Sequence, residues 1–158
     1  MSDDPQSSSA PRSVEALYQD AILSWARDGR RTGPLPSPPQ DGDRKTRKVN
    51  PLCGDRCTVS VRGSAARLEM VRTESRGCAI SLASAALMAE LVEGLPPSEA
   101  TALFGALRAG LEGSTDAALP EPLRPLLSVR PFRSRHRCAL LPWEALSELI
   151  GLDTWSST

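Results

Sequence analysis

The sequence has no excess charge of either sign, since 19 lysines and arginines balance 19 aspartates and glutamates at a pI near 6.6. A neutral chain lacks the basic footprint of a nucleic-acid-binding protein, so we expect no nucleic-acid partner. It also lacks an apolar run of the roughly 20 residues that span a bilayer. The acidic start at residues 1–4 differs from a signal peptide, which is basic and then apolar. These absences predict a cytoplasmic protein with protein or small-ion partners and no membrane partner.

Histidine and cysteine are also scarce, with one histidine and four cysteines. In a reducing compartment cysteines are more often reactive or metal-bound than paired, although two disulfides remain the alternative. The stretch Asn50–Asp55 predicts a tight turn that presents Cys53 and Asp55 on one side of an extended backbone. Cys78 and Cys138 each stand just before a helical pattern. A fold that gathers these side chains gives three thiols and one carboxylate, which suit zinc or iron better than calcium or magnesium.

Composition and periodicity predict one domain over residues 13–151, between a disordered lead at 1–12 and a polar tail at 152–158. Apolar residues at helical spacing predict an amphipathic first helix, with Ser13 as its N-cap and its end near Arg27. We expect its apolar stripe to dock on the rest of the domain.

A three-stranded sheet is expected after the first helix. Glycines, prolines and scattered basic residues mark 28–48 as a flexible loop, and a short strand is expected just before Asn50. Alternating apolar residues predict strands at 58–61 and 67–72, joined by a turn at Gly63. The fold class is therefore α+β, with a small three-stranded antiparallel sheet on which helices pack.

Three helical patterns follow the strands. The pattern that opens at Cys78 is apolar or small almost all round, which is typical of a buried helix. Another helix is predicted over 100–111, and a proline-broken connector covers 120–127. A basic run leads into a last helix with Pro142 in its first turn. Cys78 and Cys138 would then both meet helix N-termini, where the partial positive charge lowers a thiol pKa.

Three segments resemble the NifU N-terminal/IscU family of iron–sulfur cluster assembly proteins, and most closely its SufU branch. The segments are 50–56, 77–84 and 135–146. The resemblance runs from about residue 14 to residue 150, and the helical segment between Cys78 and Cys138 matches the insertion that separates SufU from IscU. Arg137 stands where IscU proteins have a histidine, and Arg135 matches an arginine that SufU proteins keep three residues before their last cysteine.

The resemblance implies that Cys53, Asp55, Cys78 and Cys138 hold a metal ion, typically zinc. It implies a sulfur acceptor that takes persulfide sulfur from a SufS-type cysteine desulfurase and delivers it to downstream cluster-assembly or apo iron–sulfur proteins. Cys53 is the expected persulfide acceptor because its loop can move without unwinding a helix, and Arg135 is expected beside the ligands. Such a chain is an acceptor or scaffold rather than a stand-alone enzyme.

Two other functions and two other ligands stay open. The same four ligands could hold a transient [2Fe–2S] cluster in a scaffold of the IscU or NifU type, or a purely structural zinc ion. Cys57 could replace Asp55, although burial in the strand is the commoner outcome for such a cysteine. His136 could also bind the metal, but its position favours an exposed or partner-facing role.

Overall fold

A computed structural model of the chain describes residues 13–114 and 118–151. The lead predicted at 1–12 and the tail predicted at 152–158 lie outside these residues. The elements are α1 (Val14–Ala26), β1 (Asp43–Val49), β2 (Arg56–Gly63), β3 (Leu68–Arg76), α2 (Ala79–Val92), α3 (Pro97–Leu111), a 3₁₀ helix (Glu121–Val129) and α4 (Arg133–Ile150). The strands form an antiparallel sheet in the order β1-β2-β3 with helices packed on it, which confirms the predicted fold class.

The sheet buries one face because its central strand alternates in polarity. Cys57, Val59 and Val61 of β2 point into the core, and each is at most 1% exposed. β2 pairs antiparallel with both neighbours, so Val59 lies opposite Thr46 of β1 and Thr73 of β3. The other face is covered at Ser60 and Arg62 by the segment that precedes β1, and it is open to solvent at Arg56 and Arg76.

β1 corrects the predicted boundary of the flexible loop. The sequence places 43–48 in that loop, apart from a short strand before Asn50, whereas Asp43–Val49 form a seven-residue strand. Four of these residues are basic, and they obscure the strand pattern. Charged residues are common on edge strands, because they discourage pairing with another chain.

α2 is buried between the sheet and the helices α1 and α4, as its apolar composition predicts. Its small residues Ala83, Ala85 and Ala89 are at most 2% exposed and let the neighbouring elements approach closely. Cys78 is the N-cap of this helix, so its predicted position at a helix N-terminus is confirmed.

α1 begins as predicted but docks only in part. The Ser13 hydroxyl accepts a hydrogen bond from the Ala16 N–H at 3.1 Å, which confirms the predicted N-cap. Ile22 is buried, whereas Val14 is 61% exposed and Leu17 is 51% exposed. The N-terminal half of the apolar stripe therefore faces solvent, contrary to the prediction that the whole stripe docks.

α4 begins earlier than the sequence suggests. The basic run is already helical from Arg133, so Cys138 lies in the second turn and Pro142 in the third. The placement of Pro142 in the first turn is therefore wrong. The connector predicted at 120–127 is also more ordered than expected, since it forms most of the 3₁₀ helix. Within the described part of the chain, no helix is both long and apolar enough to cross a bilayer.

Candidate metal centre

The loop between β1 and β2 presents Cys53 at the surface. Its ends are tied by a hydrogen bond from the Asn50 N–H to the Asp55 carbonyl at 2.8 Å, and the Gly54 N–H donates to the Asn50 carbonyl at 2.8 Å. Gly54 has φ +80°, a conformation that favours glycine. The Asn50 side chain accepts from the Leu52 N–H at 3.1 Å. These bonds hold a tight turn from which the Cys53 thiol is exposed.

The donor groups of Cys53, Asp55 and Cys138 converge in space. Their ligand atoms all lie within 4.8 Å of one another, although Cys138 is 85 positions from Cys53 in the sequence. Cys78 is half-buried at the N-terminus of α2 and is near enough to raise the pKa of the Cys138 thiol. The four side chains singled out by the sequence thus lie in one neighbourhood, with Cys78 beside the group of three.

The Asp55 carboxylate is buried and only partly satisfied. Asp55 is 5% exposed, and its Oδ2 atom has no hydrogen-bond partner among the described residues. A buried anionic oxygen without a partner is costly, and a bound cation would offset that cost. Three nearby sulfurs and one carboxylate oxygen are a donor set that zinc accepts. The residues therefore fit a metal ion.

Gly77 is a feature of the site that sequence reasoning missed. A Cβ atom at this position would lie 2.5 Å from both Cγ and Oδ1 of Asp55, and 2.8 Å from the Ser81 hydroxyl. Real Cβ atoms do not approach other atoms this closely. Only glycine at this position lets the end of β3 pass beside the carboxylate. The sequence shows Gly77 next to Cys78, but it does not show what the glycine contacts.

Cys138 differs from the prediction in its electrostatics. It lies inside α4 rather than at its N-terminus, so the expected lowering of its pKa by a helix end is wrong. Burial raises the pKa of the Cys138 thiol, and the neighbouring Cys78 and Asp55 raise it further. The thiolate of Cys138 therefore needs a nearby positive charge, which a metal ion supplies.

A buried hydrogen-bond chain fixes α4 against α2 beside Cys138. The Trp143 indole N–H donates to the Ser84 hydroxyl at 3.0 Å, and that hydroxyl donates to the Ala139 carbonyl. Ser84 and Trp143 are both fully buried. Pro142 has no N–H to donate to the carbonyl of Cys138, four residues earlier. The Cys138 thiol thus lies on a helix that is packed in the core, whereas Cys53 lies on an exposed loop.

The two alternative ligands lie elsewhere. Cys57 is 1% exposed, its Sγ accepts from the Ser75 hydroxyl at 3.1 Å, and burial raises its pKa to about 11. This confirms the predicted burial of the strand cysteine. The His136 Nε2 lies 2.8 Å from the Arg130 carbonyl and donates its proton there. Arg135 is exposed in the first turn of α4 and lines a cavity of about 970 Å³ beside α1.

The chain is similar to known proteins in sequence. The NifU-like N terminal domain family matches residues 17–108, a range that includes Cys53, Asp55 and Cys78. The iron–sulfur cluster assembly scaffold protein IscU of Streptococcus pyogenes serotype M1 is 32% identical over 136 residues, which are 85% of this chain and 82% of that protein. The zinc-dependent sulfurtransferase SufU of Bacillus subtilis strain 168 is 27% identical over 143 residues, 89% of this chain and 93% of that protein.

The fold is also similar to a solved structure. The SufU protein of the thermophile Fervidobacterium islandicum AW-1 superposes with a TM-score of 0.75, covering 86% of this chain and 98% of that one at 24% identity. At this identity the likeness concerns the fold alone. The family match spans more than half of the chain, and the streptococcal relative is matched over most of its length. The chain therefore belongs to the NifU-like N-terminal domain family of iron–sulfur cluster assembly proteins.

Proposed function

We propose that this protein is a sulfur acceptor of the SufU type. In this proposal Cys53, Asp55, Cys78 and Cys138 hold a zinc ion, and Cys53 receives sulfane sulfur from the persulfide of a SufS-type cysteine desulfurase. The sulfur then passes to downstream cluster-assembly or apo iron–sulfur proteins. The Bacillus relative, which is named a zinc-dependent sulfurtransferase, supports this choice.

The observation that carries the proposal is the unequal exposure of the donor groups. Cys53 is exposed in the loop between β1 and β2, whereas Asp55, at the end of that loop, and Cys138, on α4, are buried. A partner's reactive sulfur can reach Cys53 from solvent, while Asp55 and Cys138 keep their positions. A purely structural zinc site needs no such accessible ligand, and such sites close with cysteine or histidine rather than with a carboxylate.

The transfer step needs a nucleophilic Cys53. Zinc, when bound, favours the thiolate forms of its cysteine ligands. The Cys53 thiolate attacks the outer sulfur of the desulfurase persulfide, and the sulfur–sulfur bond of that persulfide breaks. The desulfurase cysteine leaves as a thiolate, and Cys53 becomes a persulfide. The exchange involves no net oxidation or reduction, so no further reactant is required.

Two cysteine variants test the acceptor role. Cys53→Ala should abolish the stimulation of cysteine turnover by a SufS-type desulfurase, measured as alanine released. Cys57→Ala is the matched control, since Cys57 lies in the core outside the donor group, and it should retain the stimulation. Undiminished stimulation by the Cys53 variant would refute the acceptor role. Full zinc content without any stimulation by the wild type would favour a structural zinc domain.

A scaffold function is the second candidate, because the 32% identical relative is named a scaffold protein. In that case the same four side chains would hold a [2Fe–2S] cluster as cargo. Anaerobic reconstitution with iron, cysteine and desulfurase separates the two functions. A stable visible chromophore that transfers to an apo-ferredoxin would support the scaffold. Retained zinc and rapid persulfide formation on Cys53, detected by mass spectrometry, would support the acceptor.

A further inference from the structure

The solvent-facing side of the sheet is half covered, and its open half lies beside the metal centre. At the far end, Arg62 is only 8% exposed, because its guanidinium donates to the Pro36 carbonyl at 2.7 Å. At the near end, Val49 is 45% exposed, and Arg56 and Arg76 are both exposed. The segment around Pro36, which covers the far end of the sheet, therefore does not extend to the end beside the metal centre.

Two arginines face each other at this open end. Arg56 and Arg76 are direct partners in the β2–β3 register. Arg56 follows Asp55, and Arg76 precedes Gly77, so the pair lies at the same end of the sheet as the metal centre. Like charges directly opposite each other destabilise a sheet. Across residues 13–114 and 118–151, neither guanidinium forms an ion pair that would offset this repulsion.

The charge of the whole face is also unbalanced. Asp43 pairs with Arg62, and Glu93 pairs with Arg72, each at 2.8 Å. When these pairs and Glu69, at the bulge near Arg62, are set aside, the solvent-facing strand positions hold four cationic side chains and one carboxylate. They are Lys45, Arg47, Arg56, Arg76 and Glu74. Because the chain as a whole is neutral, this is a local segregation of positive charge next to the site.

We infer that the open face formed by Arg47, Arg56 and Arg76, called the arginine face below, docks an acidic surface of the sulfur-donating protein. The identity of that partner rests on the proposed function. The site-side half of a sheet face is a broad surface that suits a protein better than a small anion, and the 970 Å³ cavity is lined by other residues. Arginines without ion-pair partners, at the end of the sheet that carries the metal centre, speed association with an acidic partner and orient it.

Calorimetric titration with a SufS-type desulfurase tests this inference. The Arg56→Gln/Arg76→Gln variant should bind about tenfold more weakly at about 0.05 M salt, and the difference should shrink at about 0.3 M salt. Its zinc content should equal that of the wild type, and its melting temperature should be unchanged or higher. The control is Arg30→Gln/Arg124→Gln, which removes the same charge from exposed positions at 61% and 49% side-chain exposure. The control should bind like the wild type.

Each outcome supports or overturns the inference. Equal affinity of the arginine variant and the control would overturn it, as would the absence of binding by the wild type. Binding of duplex DNA or of a second copy of this chain, lost in the arginine variant alone, would assign the face to that occupant and overturn it too. Wild-type binding without sulfur transfer would refute the proposed function, while the comparison of affinities would still decide on the arginine face.

Discussion

The polar side chains at the two ends of α2 differ in how completely they are hydrogen-bonded. At the C-terminal end, Glu93 accepts the Val71 N–H at 2.9 Å and pairs with Arg72 and Arg31, and Glu90 also pairs with Arg31. At the N-terminal end, beside Cys78, the buried Oδ2 of Asp55 and Nδ2 of Asn50 have no hydrogen-bond partner in the described chain. The C-terminal end satisfies its polar groups internally, whereas the N-terminal end leaves a buried carboxylate oxygen that a bound cation can satisfy.

The difference shows that charged groups at one end of α2 stabilise the fold, whereas those at the other end form a candidate binding site. The glutamate network joins α2, β3 and the loop before β1, and it requires nothing from outside. The cysteine and carboxylate group costs free energy until a cation binds, because a buried carboxylate oxygen is left without a partner. Changes at the N-terminal end should therefore alter metal affinity, and changes at the C-terminal end should alter folding stability.

The largest expected effect is on metal affinity when Gly77 is replaced. Gly77→Ala puts a methyl group where the Asp55 carboxylate lies, so the carboxylate must move. We expect zinc affinity to fall about 10–100-fold, the usual cost of disturbing groups that orient a metal ligand. Competition with a chromogenic chelator measures this change.

A glycine elsewhere provides the control for this substitution. A Cβ atom on Gly105, in α3, would meet nothing within 4 Å, so Gly105→Ala should leave zinc affinity unchanged. Wild-type affinity in the Gly77 variant would show that the Asp55 carboxylate is not a ligand.

The next effect is on stability at the opposite end of α2. Glu93→Gln keeps the shape of the side chain but removes the charge that Arg31 and Arg72 share. We expect a loss of about 1–3 kcal/mol in the free energy of unfolding, with unchanged zinc affinity. Urea denaturation of the zinc-loaded proteins measures the first quantity, and chelator competition measures the second. A loss of zinc affinity as large as that of Gly77→Ala would remove the distinction between the two ends.

The same carboxylate gives a pH dependence of defined sign. Burial raises the pKa of Glu93, but the Val71 N–H, Arg72 and Arg31 outweigh it, so the pKa lies below the ordinary value of 4.5. A lowered pKa in the folded state stabilises the protein above pH 4.5, and this contribution disappears as the pH falls through the folded pKa. The stability difference between the wild type and Glu93→Gln should therefore shrink below pH 4.5. A difference that grows on acidification would contradict this assignment.

An exposed ion pair should contribute least to the free energy of unfolding. The Lys48 ammonium lies 2.7 Å from the Glu148 carboxylate and links β1 to α4, but the two side chains are 34% and 49% exposed. Solvent screens such pairs, so Glu148→Gln should cost less than about 0.5 kcal/mol in urea denaturation. A cost equal to that of Glu93→Gln would mean that exposure does not decide the strength of these contacts.

The sequence predicts which side chains form the metal centre better than it predicts the contacts around them. Cys53 and Asp55 flank a glycine in a predicted tight turn, and Cys78 precedes a helix, so local patterns are enough to single them out. The extended backbone predicted for the turn is wrong, because Gly54 has φ +80°. The position of Cys138 within α4 is missed, because Pro142 reads as a first-turn residue although it lies in the third turn. Local pattern cannot reveal contacts between distant parts of the chain.

The contacts that distinguish the two ends of α2 are of this long-range kind. The approach of Gly77 to Asp55 spans 22 residues, and the contact of Arg31 with Glu93 spans 62 residues. The first depends on the register of β2 with β3, and the second on how the loop before β1 packs against the end of α2, and periodicity alone determines neither. The sheet and the buried helix follow from hydrophobic patterning, whereas the carboxylate contacts follow from tertiary packing.

X-ray absorption spectroscopy of the zinc-loaded protein tests the proposed donor set most directly. We expect three sulfur neighbours at about 2.3 Å and one oxygen at about 2.0–2.2 Å, with the oxygen replaced or lost in Asp55→Ala. Four sulfurs would place Cys57 at the metal, and a nitrogen neighbour would place His136 there. Either result would contradict a centre built from Cys53, Asp55, Cys78 and Cys138.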